Sequence, residues 1–227
     1  MAIFLDSGDP KQVKRFMKMG IIRGVTTNPT ILRKDGCAGG MEGLKKIEVE
    51  IAGLIHPFPL SVEVTSNDKK KMLDQAIEFS RWAENIVVKI PVHGPEGEIE
   101  NVEVIHALET KHDIRVNVTA MMNAQQGLLA ALAGATYVSI FAGRVNDMGY
   151  NCVEEIGKLR DLLDDFDLKA KIIAGSTREI LNVVEWLDAG AHFVTVVPRL
   201  LEGMLVHPYT KETVRMFLSD ARELKSR

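Results

Sequence analysis

The feature that most constrains the fold is a regular alternation of short apolar runs with longer amphipathic segments. The runs are rich in Val and Ile, and each has the length of a buried strand. They predict eight strands, at residues 2–5, 21–26, 60–64, 86–91, 114–118, 136–141, 171–174 and 192–196. Helical patterns separate the strands, and a further amphipathic segment lies at 210–227. This order predicts an α/β protein, a single (β/α)8 TIM barrel with an extra C-terminal helix.

An internal repeat supports this architecture. The segments AGATYVSI, starting at Ala133, and AGAHFVTV, starting at Ala189, share the pattern AGA-x-aromatic-Val-hydroxyl-aliphatic. They begin 56 residues apart, which is about two units of roughly 28 residues in a barrel of this kind. The alternative, an open doubly wound sheet, has less support because its dinucleotide loop G-x-G-x-x-G is absent from the sequence.

Composition and charge limit the function classes. The 227 residues are 46% hydrophobic and 26% charged, and the net charge is −3 with both signs interspersed. No basic surface for nucleic acid is therefore expected. The two distant cysteines, Cys37 and Cys152, argue against a disulfide framework. We expect one domain over residues 1–227, no signal peptide, no membrane span and a cytoplasmic location.

One predicted strand carries a lysine within its apolar run. Lys89 lies in NIVVKIP, at residues 85–91, where burial should be greatest. Burial of an ammonium is costly and favours the neutral amine, and a neutral lysine can attack a carbonyl to form a Schiff base. The structural alternative is that Lys89 lies at the strand end and extends to water.

Polar residues lie within or just beyond the ends of the predicted strands. They are Asp6, Asn28, Glu63, Lys89, Thr119, Arg144 and Ser176. The carboxyl ends of all strands in a barrel meet at one mouth, where active sites form. Strand parity lets three pairs point inward: Ser61 with Glu63, Val87 with Lys89, and Asn117 with Thr119. Each residue alone also fits a helix cap or a surface ion pair, but their convergence favours a catalytic site.

Motifs in the same order along nearly the whole chain carry a family resemblance. They are LDSGD with Asp6, GVTTNPT with Asn28, SVEV with Glu63, NIVVKIPV with Lys89, NVTAMMNAQQ with Asn117 and Thr119, SIFAGR with Ser139 and Arg144, and AGSTR with Ser176 and Arg178. With them the sequence resembles the transaldolase family, particularly its short single-barrel branch, which includes the fructose-6-phosphate aldolases. The pair VVKIP and GVTTNP is the most specific part of the match.

The resemblance implies a catalytic set. Lys89 would be the Schiff-base lysine, so that the reaction needs no metal and no organic cofactor. Asp6 would be the acid/base at the substrate hydroxyl whose deprotonation drives carbon–carbon cleavage. Glu63 and Thr119 would hold a catalytic water and transfer protons during imine formation and hydrolysis.

The resemblance also implies a set of substrate-binding residues. Asn28, Asn117 and Ser139 would bind a three-carbon dihydroxyacetone unit, in a pocket that includes Phe141. Three further residues would bind the substrate phosphate: Arg144, Ser176 and Arg178. Arginine forks suit phosphate oxygens, and Ser176 is expected to begin a helix whose N–H groups favour anions. This position follows strand seven, where barrels often bind phosphate.

Four positions favour transaldolases over fructose-6-phosphate aldolases within the resemblance: Glu63, Asn117, Phe141 and Arg178. The expected reaction moves a dihydroxyacetone unit from sedoheptulose 7-phosphate to glyceraldehyde 3-phosphate, which gives erythrose 4-phosphate and fructose 6-phosphate. The alternatives are a fructose-6-phosphate aldolase that releases free dihydroxyacetone, and a sugar-phosphate binding protein without turnover. The sequence departs from the family pattern at His93, Ile140, Gly175 and Thr177, positions expected near the phosphate and sugar channel.

Two further expectations concern metals and assembly. The six histidines show no H-x-x-x-H pattern and no clustered carboxylates, which disfavours a metal-dependent aldolase. His93, in the loop after Lys89, is expected to be structural or solvated rather than a proton donor. The amphipathic segment 210–227 would pack on its own barrel or reach a neighbouring copy. The resemblance implies a ring-shaped homo-oligomer, such as a decamer.

Overall fold

A computed structural model describes residues 2–225 and shows a closed barrel of eight parallel strands, each paired with its neighbours in sequence and the last paired with the first. The strands are β1 Ala2–Asp6, β2 Val25–Thr26, β3 Leu60–Glu63, β4 Ile86–Pro91, β5 Val116–Met121, β6 Tyr137–Ile140, β7 Lys171–Ala174 and β8 Phe193–Val196. The predicted (β/α)8 architecture is therefore confirmed. Whether residues 1–227 form one domain stays a prediction.

Helices surround the barrel within the same residues. They are α1 Pro10–Met19, α2 Pro29–Lys34, α3 Gly40–Ile55, α4 Lys69–Ser80, α5 Asn101–Lys111, α6 Ala124–Leu132, α7 Ala142–Asp147, α8 Cys152–Asp165, α9 Ile180–Asp188, α10 Pro198–Leu205 and α11 Pro208–Lys225. Over residues 2–225, no helix is both long enough and apolar enough to cross a bilayer. The predicted end of the last helix, residues 226–227, lies outside the described residues.

Local sequence signals explain several helix ends. The Asp9 carboxylate accepts a hydrogen bond from Lys11 N at 2.8 Å, and Pro10 occupies the first helical position of α1. Gly20 ends α1 in the left-handed conformation with φ 69°, which glycine adopts without strain. Asp68 caps α4 in the same way as Asp9 caps α1, through Lys71 N.

The second strand is shorter than predicted. Residues 21–26 were expected to be extended, but only Val25–Thr26 form a strand. Gly24 lies directly against the Phe4 ring, since a Cβ at this position would lie 2.7 Å from a ring carbon. The chain before Val25 thus packs its backbone closely against an aromatic ring inside the barrel. A run of apolar residues in the sequence does not predict such a contact.

Aromatic side chains fill the amino-terminal end of the barrel interior. The rings of Phe4 and Phe193 are 4.5 Å apart, and Tyr137 lies edge-on to both. Two residues further along the same strands, on the same side, come Asp6, Ser139 and Thr195. Side chains two residues apart on a strand point to the same side. Phe4, Tyr137 and Phe193 therefore fill one end of the barrel interior, and Asp6, Ser139 and Thr195 lie above them towards the other end.

Candidate active site

A cavity of about 400 Å³ opens at the carboxyl ends of the strands. Its size is within the usual range for small-molecule sites. Ten of the eleven predicted site residues line it: Asp6, Asn28, Glu63, Lys89, Thr119, Ser139, Phe141, Arg144, Ser176 and Arg178. The remaining one, Asn117, lies beneath the cavity and is fully buried. The structure therefore brings the predicted residues together, as the strand order requires.

Lys89 projects into the cavity with only 4% of its surface exposed. The alternative in which it extends to bulk water is wrong. Its Nζ lies 3.0 Å from Glu63 Oε2 and donates a hydrogen bond to the Thr27 main-chain carbonyl oxygen at 3.1 Å. Glu63 and Lys89 are opposite each other in the β3–β4 pairing, so strand register sets this contact.

Asp6 is held by a chain of hydroxyl groups. The Thr26 hydroxyl donates to Asp6 Oδ1 at 2.7 Å, and Thr26 and Thr195 hydroxyl oxygens are 2.6 Å apart. Burial raises the pKa of Asp6, while the Thr26 hydrogen bond and the Lys89 charge oppose that rise. A carboxyl whose pKa is raised holds a proton more readily, which suits a group that both accepts and donates one.

The Thr119 hydroxyl faces the cavity and is buried without a hydrogen-bond partner among the described residues. An unpaired buried hydroxyl is costly unless water or a ligand reaches it. Ala120, which follows, has φ 61° and lies where the β5–β6 register shifts. Such strained backbone costs of order 1–3 kcal/mol and tends to occur at functional sites.

A buried amide network supports the floor of the cavity. The Ser139 hydroxyl donates to Asn117 Oδ1 at 2.7 Å, and Asn117 Nδ2 donates to the Ser61 hydroxyl at 3.0 Å. Asn117 thus orients Ser139 from below. Asn28 is already a helix cap, since its Oδ1 accepts from Ile31 N at 2.9 Å. Its Nδ2 donors therefore are the part of Asn28 that remains for a ligand.

The outer part of the cavity carries two guanidinium groups. Arg144 lies 5.0 Å from the centroid of the Phe141 ring. Arg178 is paired with Asp147, whose Oδ2 accepts from Nε at 3.0 Å and from the terminal nitrogen at 2.9 Å. Both arginines are exposed at the mouth, where a phosphate oxygen has access to them.

The prediction that Ser176 begins a helix is wrong. Helix α9 begins at Ile180 and is preceded by a capping box between Glu179 and Asn182. Ser176 lies instead in the loop after β7 with φ 62°. The loop is shaped by close packing on Gly143, where a Cβ would lie 1.8 Å from the Ser176 carbonyl oxygen. Any anion contact made by Ser176 therefore depends on this loop, not on the end of a helix.

Sequence reasoning missed three residues around the reacting groups. Thr26 and Thr195 position Asp6, and Thr195 occupies the hydroxyl position of the internal repeat that Ser139 also occupies. The repeat was therefore a usable signal for Thr195. Glu48 on α3 is completely buried and accepts a 2.6 Å hydrogen bond from the Thr27 hydroxyl. A charged residue on a helix is usually exposed, so the sequence pattern alone offers no signal for Glu48.

Three carboxyl groups act on a single ammonium. Glu63 contacts the Lys89 amine directly, and Asp6 and Glu48 interact with it electrostatically. One positive charge therefore lies near up to three negative charges. Burial raises the pKa of Glu48 to about 7, against the opposing effects of the Thr27 hydrogen bond and Lys89. The cluster therefore retains protons near neutral pH, which suits a reaction that moves protons in several steps.

His93 and a metal site were the two other features considered from the sequence. His93 is exposed outside the cavity lining, with its Nδ1 2.7 Å from the Gly94 carbonyl oxygen. Over residues 2–225, His, Cys, Asp and Glu side chains form no group of three or more that could hold a metal ion.

Comparison with known families identifies the class of protein. The model of the transaldolase/fructose-6-phosphate aldolase family matches residues 3–227. The chain belongs to this family. It is 39% identical over 225 residues to a probable transaldolase of Carboxydothermus hydrogenoformans, covering 99% of this chain and 100% of the relative. It is 38% identical to probable transaldolase 2 of Listeria monocytogenes, covering 97% and 95%. The protein is therefore an enzyme of the aldolase/transaldolase class.

Solved structures support the fold alone. A thiamine phosphate pyrophosphorylase from Pyrococcus furiosus superposes with a TM-score of 0.62 at 13% identity, covering 86% of this chain and 85% of its own. A lactate oxidase from Pediococcus acidilactici gives 0.60 at 11% identity, covering 86% and 62%. Chains this different in sequence share the barrel and carry no information on the reaction.

Proposed function

We propose that the protein is a Schiff-base transaldolase that moves a dihydroxyacetone unit between sugar phosphates. The observation that supports this most strongly is a lysine amine buried inside a closed barrel, within one cavity that also contains two carboxylates, Asp6 and Glu63. Family membership accounts for the class of enzyme.

In the first half-reaction, Lys89 Nζ loses a proton and attacks the C2 carbonyl of the ketose donor. The carbonyl oxygen leaves as water, with Glu63 and the Thr119 hydroxyl moving the protons, and C2 becomes an iminium. Asp6 then takes the proton of the C4 hydroxyl. The C3–C4 bond breaks, its electron pair forms a C2=C3 enamine, the iminium nitrogen is neutralised, and an aldehyde sugar phosphate leaves.

The second half-reaction reverses these steps on another aldehyde. The enamine carbon attacks the acceptor carbonyl, and protonated Asp6 returns its proton to the new hydroxyl. Water then adds to C2, and hydrolysis frees the ketose product and the Lys89 amine. The Thr119 hydroxyl has no other partner among the described residues, so it is available to hold that water at the start and the end of the cycle.

Substrate recognition divides between the bottom and the mouth of the cavity. Ser139, fixed by Asn117, and the Nδ2 donors of Asn28 are placed to bind the hydroxyls of the three-carbon unit. Arg144 and Arg178 provide paired donors at the mouth for the phosphate. Arg178 must exchange its contact with Asp147 for the phosphate, or share it, because the Asp147 pair uses two of its nitrogens.

The substrates proposed are sedoheptulose 7-phosphate with glyceraldehyde 3-phosphate, and fructose 6-phosphate with erythrose 4-phosphate in the reverse direction. Transfer is favoured over release of dihydroxyacetone by Glu63, which contacts the amine directly, and by Asn117, which contacts Ser139. Phe141 also supports transfer, because it offers no hydroxyl to bring an extra water to the enamine. Release of dihydroxyacetone requires a proton to be added to C3 of the enamine before water can add to C2, so slow protonation at C3 leaves the enamine for the acceptor.

A coupled assay separates transfer from release. Fructose 6-phosphate is supplied with and without erythrose 4-phosphate, and both sedoheptulose 7-phosphate and free dihydroxyacetone are measured. We expect sustained turnover only with the acceptor present. Free dihydroxyacetone accumulating at the same rate without acceptor identifies a fructose-6-phosphate aldolase instead, and binding with no product in either arm identifies a protein without turnover.

We also propose that the protein forms a homo-oligomer through α11. Every residue of this helix over 208–224 is exposed, including Val214, Phe217 and Leu218 at 48%, 60% and 57%. These side chains form one apolar face of the helix that the barrel of the same chain does not cover. A second copy of the chain is the partner that the family resemblance favours.

A further inference from the structure

Glu48 is a buried acid that the proposed reaction does not use. It lies on α3, outside the strands that form the cavity, and its side chain is completely buried. One carboxyl oxygen, Oε1, accepts from the Thr27 hydroxyl at 2.6 Å, while Oε2 has no partner among the described residues. A carboxyl group buried with one oxygen unpaired is costly, so packing alone gives no reason for it.

A short relay connects Glu48 to the reacting amine. The Thr27 hydroxyl contacts Glu48, and the main-chain carbonyl oxygen of the same residue accepts the hydrogen bond from Lys89 Nζ at 3.1 Å. Thr27 is itself fully buried, and its N–H is bonded to the Ser61 carbonyl oxygen at 3.0 Å. The Thr27 hydroxyl also lies 3.0 Å from that carbonyl oxygen, in addition to its shorter contact with Glu48. Thr27 is therefore fixed on three sides, and Glu48 is one of the three.

We propose that Glu48 is a positioning residue for Lys89, which holds the Thr27 carbonyl in place and, when ionised, stabilises the ammonium and iminium forms from behind the barrel wall. The inference rests on the proposed Schiff-base function. Glu48 touches neither the cavity nor the substrate in this scheme, and it acts through Thr27 and through its charge.

The groups around Glu48 allow this action to depend on pH. Lys89 faces it from β4, and the Cys37 thiol, which follows α2, is close enough for the Glu48 charge to raise the thiol pKa further beyond the effect of burial. From β3, Glu63 reaches the same ammonium. Helix α1, which packs against α3, presents the apolar Val13 and Phe16, and its lysines and arginine are exposed.

Burial raises the pKa of Glu48 to about 7, so its charge changes in the range where the enzyme is expected to work. Below about pH 6 the group is mostly protonated and places no charge near Lys89. Above about pH 7 it is mostly ionised and places a negative charge behind the barrel wall near Lys89. Glu48→Gln is the neutral variant of similar shape, and it keeps an oxygen for the Thr27 hydroxyl.

The test is the pH profile of the rate at which fructose 6-phosphate forms a borohydride-trapped adduct with the full chain. We expect Glu48→Gln to match the unaltered protein below about pH 6 and to diverge above about pH 7. The two rates should differ by at least about twofold at pH 8, because only the unaltered protein then carries a negative charge behind the amine. Glu50→Gln, an exposed change on the same helix, is the matched control and should leave the profile unchanged.

A second pair of variants tests the relay without altering Glu48. Thr27→Val removes the hydroxyl, with its contacts to Glu48 and to the Ser61 carbonyl oxygen, and should lower the plateau trapping rate roughly threefold to tenfold. Thr27→Ser keeps the hydroxyl and should restore the rate to within about twofold of the unaltered protein.

The proposal is overturned if the Glu48→Gln and unaltered profiles have the same shape at all pH values, even if the variant is slower or less stable throughout. It is also overturned if Thr27→Val and Thr27→Ser have equal rates. If Glu48→Gln does not fold, the Thr27 pair alone decides. Absence of any adduct in the unaltered protein refutes the proposed function instead, so the two failures are distinguishable.

Discussion

At the scale of single residues, the site is a set of ordinary side chains whose properties come from burial. Asp6 and Glu48 are both carboxyl groups whose pKa burial raises, and both interact with Lys89. They differ in access, because Asp6 lines the cavity and Glu48 does not. In the proposed reaction, the same physical effect therefore serves a direct proton-transfer role for Asp6 and an indirect role for Glu48.

Thr26→Val tests how Asp6 is tuned. The Thr26 hydroxyl stabilises the ionised form of Asp6 at 2.7 Å, so its removal should raise the pKa of Asp6 further. The ionised base is needed for carbon–carbon cleavage, so the acidic limb of the kcat profile should move to higher pH. On that acidic limb we expect a roughly threefold to tenfold lower kcat at the same pH.

Thr26→Ser retains the hydroxyl and is the matched control, with a profile expected to follow the unaltered protein. A profile of Thr26→Val that falls evenly at every pH would show that Thr26 does not act through the ionisation of Asp6.

The pH dependence of unfolding tests the burial of Glu48. Its pKa is about 7 in the folded protein and 4.5 for an unperturbed group, so the folded state retains a proton that the unfolded state loses. Stability is therefore lost as pH rises through this interval. Glu48→Gln cannot ionise, and its free energy of unfolding relative to the unaltered protein should increase by about 2–3 kcal/mol between pH 4 and pH 8.

Chemical denaturation at several pH values measures this difference. Glu50→Gln should show a difference that stays flat with pH, since Glu50 is exposed. A flat difference for Glu48→Gln as well would contradict a raised pKa for Glu48.

At the scale of elements, strand order and parity could be predicted, while loops could not. The apolar runs at 86–91 and 171–174 predicted β4 and β7 correctly, because a parallel strand covered on both sides is apolar along most of its length. Strand ends then placed Asp6, Glu63 and Lys89 at one mouth. The position of Ser176 was predicted wrongly because the loop after β7 is shaped by contact with Gly143, which is distant in sequence and leaves no local signal.

Gly143→Ala tests whether this contact shapes the phosphate end of the cavity. A Cβ would lie 1.8 Å from the Ser176 carbonyl oxygen and 3.1 Å from Arg178 Cγ. The β7–α9 loop must then move, so KM for fructose 6-phosphate should rise about tenfold, equivalent to about 1.4 kcal/mol of binding. Steady-state kinetics measure the change.

Gly157→Ala on α8 is the control, because the nearest atom to a Cβ there is 3.9 Å away. It should leave KM unchanged and stabilise the helix by about 0.5–1 kcal/mol. Equal KM values for both variants would show that the Gly143 contact does not shape the phosphate end.

At the scale of the whole molecule, helix α11 is not covered by the barrel of the same chain. The amphipathic pattern of the last segment was recognised in the sequence, but pattern alone could not tell whether its apolar face covers the same chain or another. The structure shows Val214, Phe217 and Leu218 exposed. Glu48 shows the reverse case. A charged residue in a helix is expected at the surface from sequence alone, but the structure shows Glu48 completely buried.

Phe217→Glu tests assembly through α11. A charge in the centre of the apolar face should disrupt a packed interface, so the mass in solution should fall towards the 25.2 kDa of one chain. Sedimentation velocity measures it. Ser219→Glu adds the same charge about half a turn away and should leave the assembly intact. A single-chain mass for the unaltered protein would contradict the proposed oligomer.

The central claim is that the Lys89 amine forms a covalent link to the ketose carbonyl. The most direct measurement is to reduce the protein with borohydride in the presence of fructose 6-phosphate and to map the modified peptide by mass spectrometry. The account predicts one reduced dihydroxyacetone adduct, located on Lys89 and absent from Lys89→Met. A protein that turns over the substrate but carries no adduct, or carries it on another lysine, would contradict it.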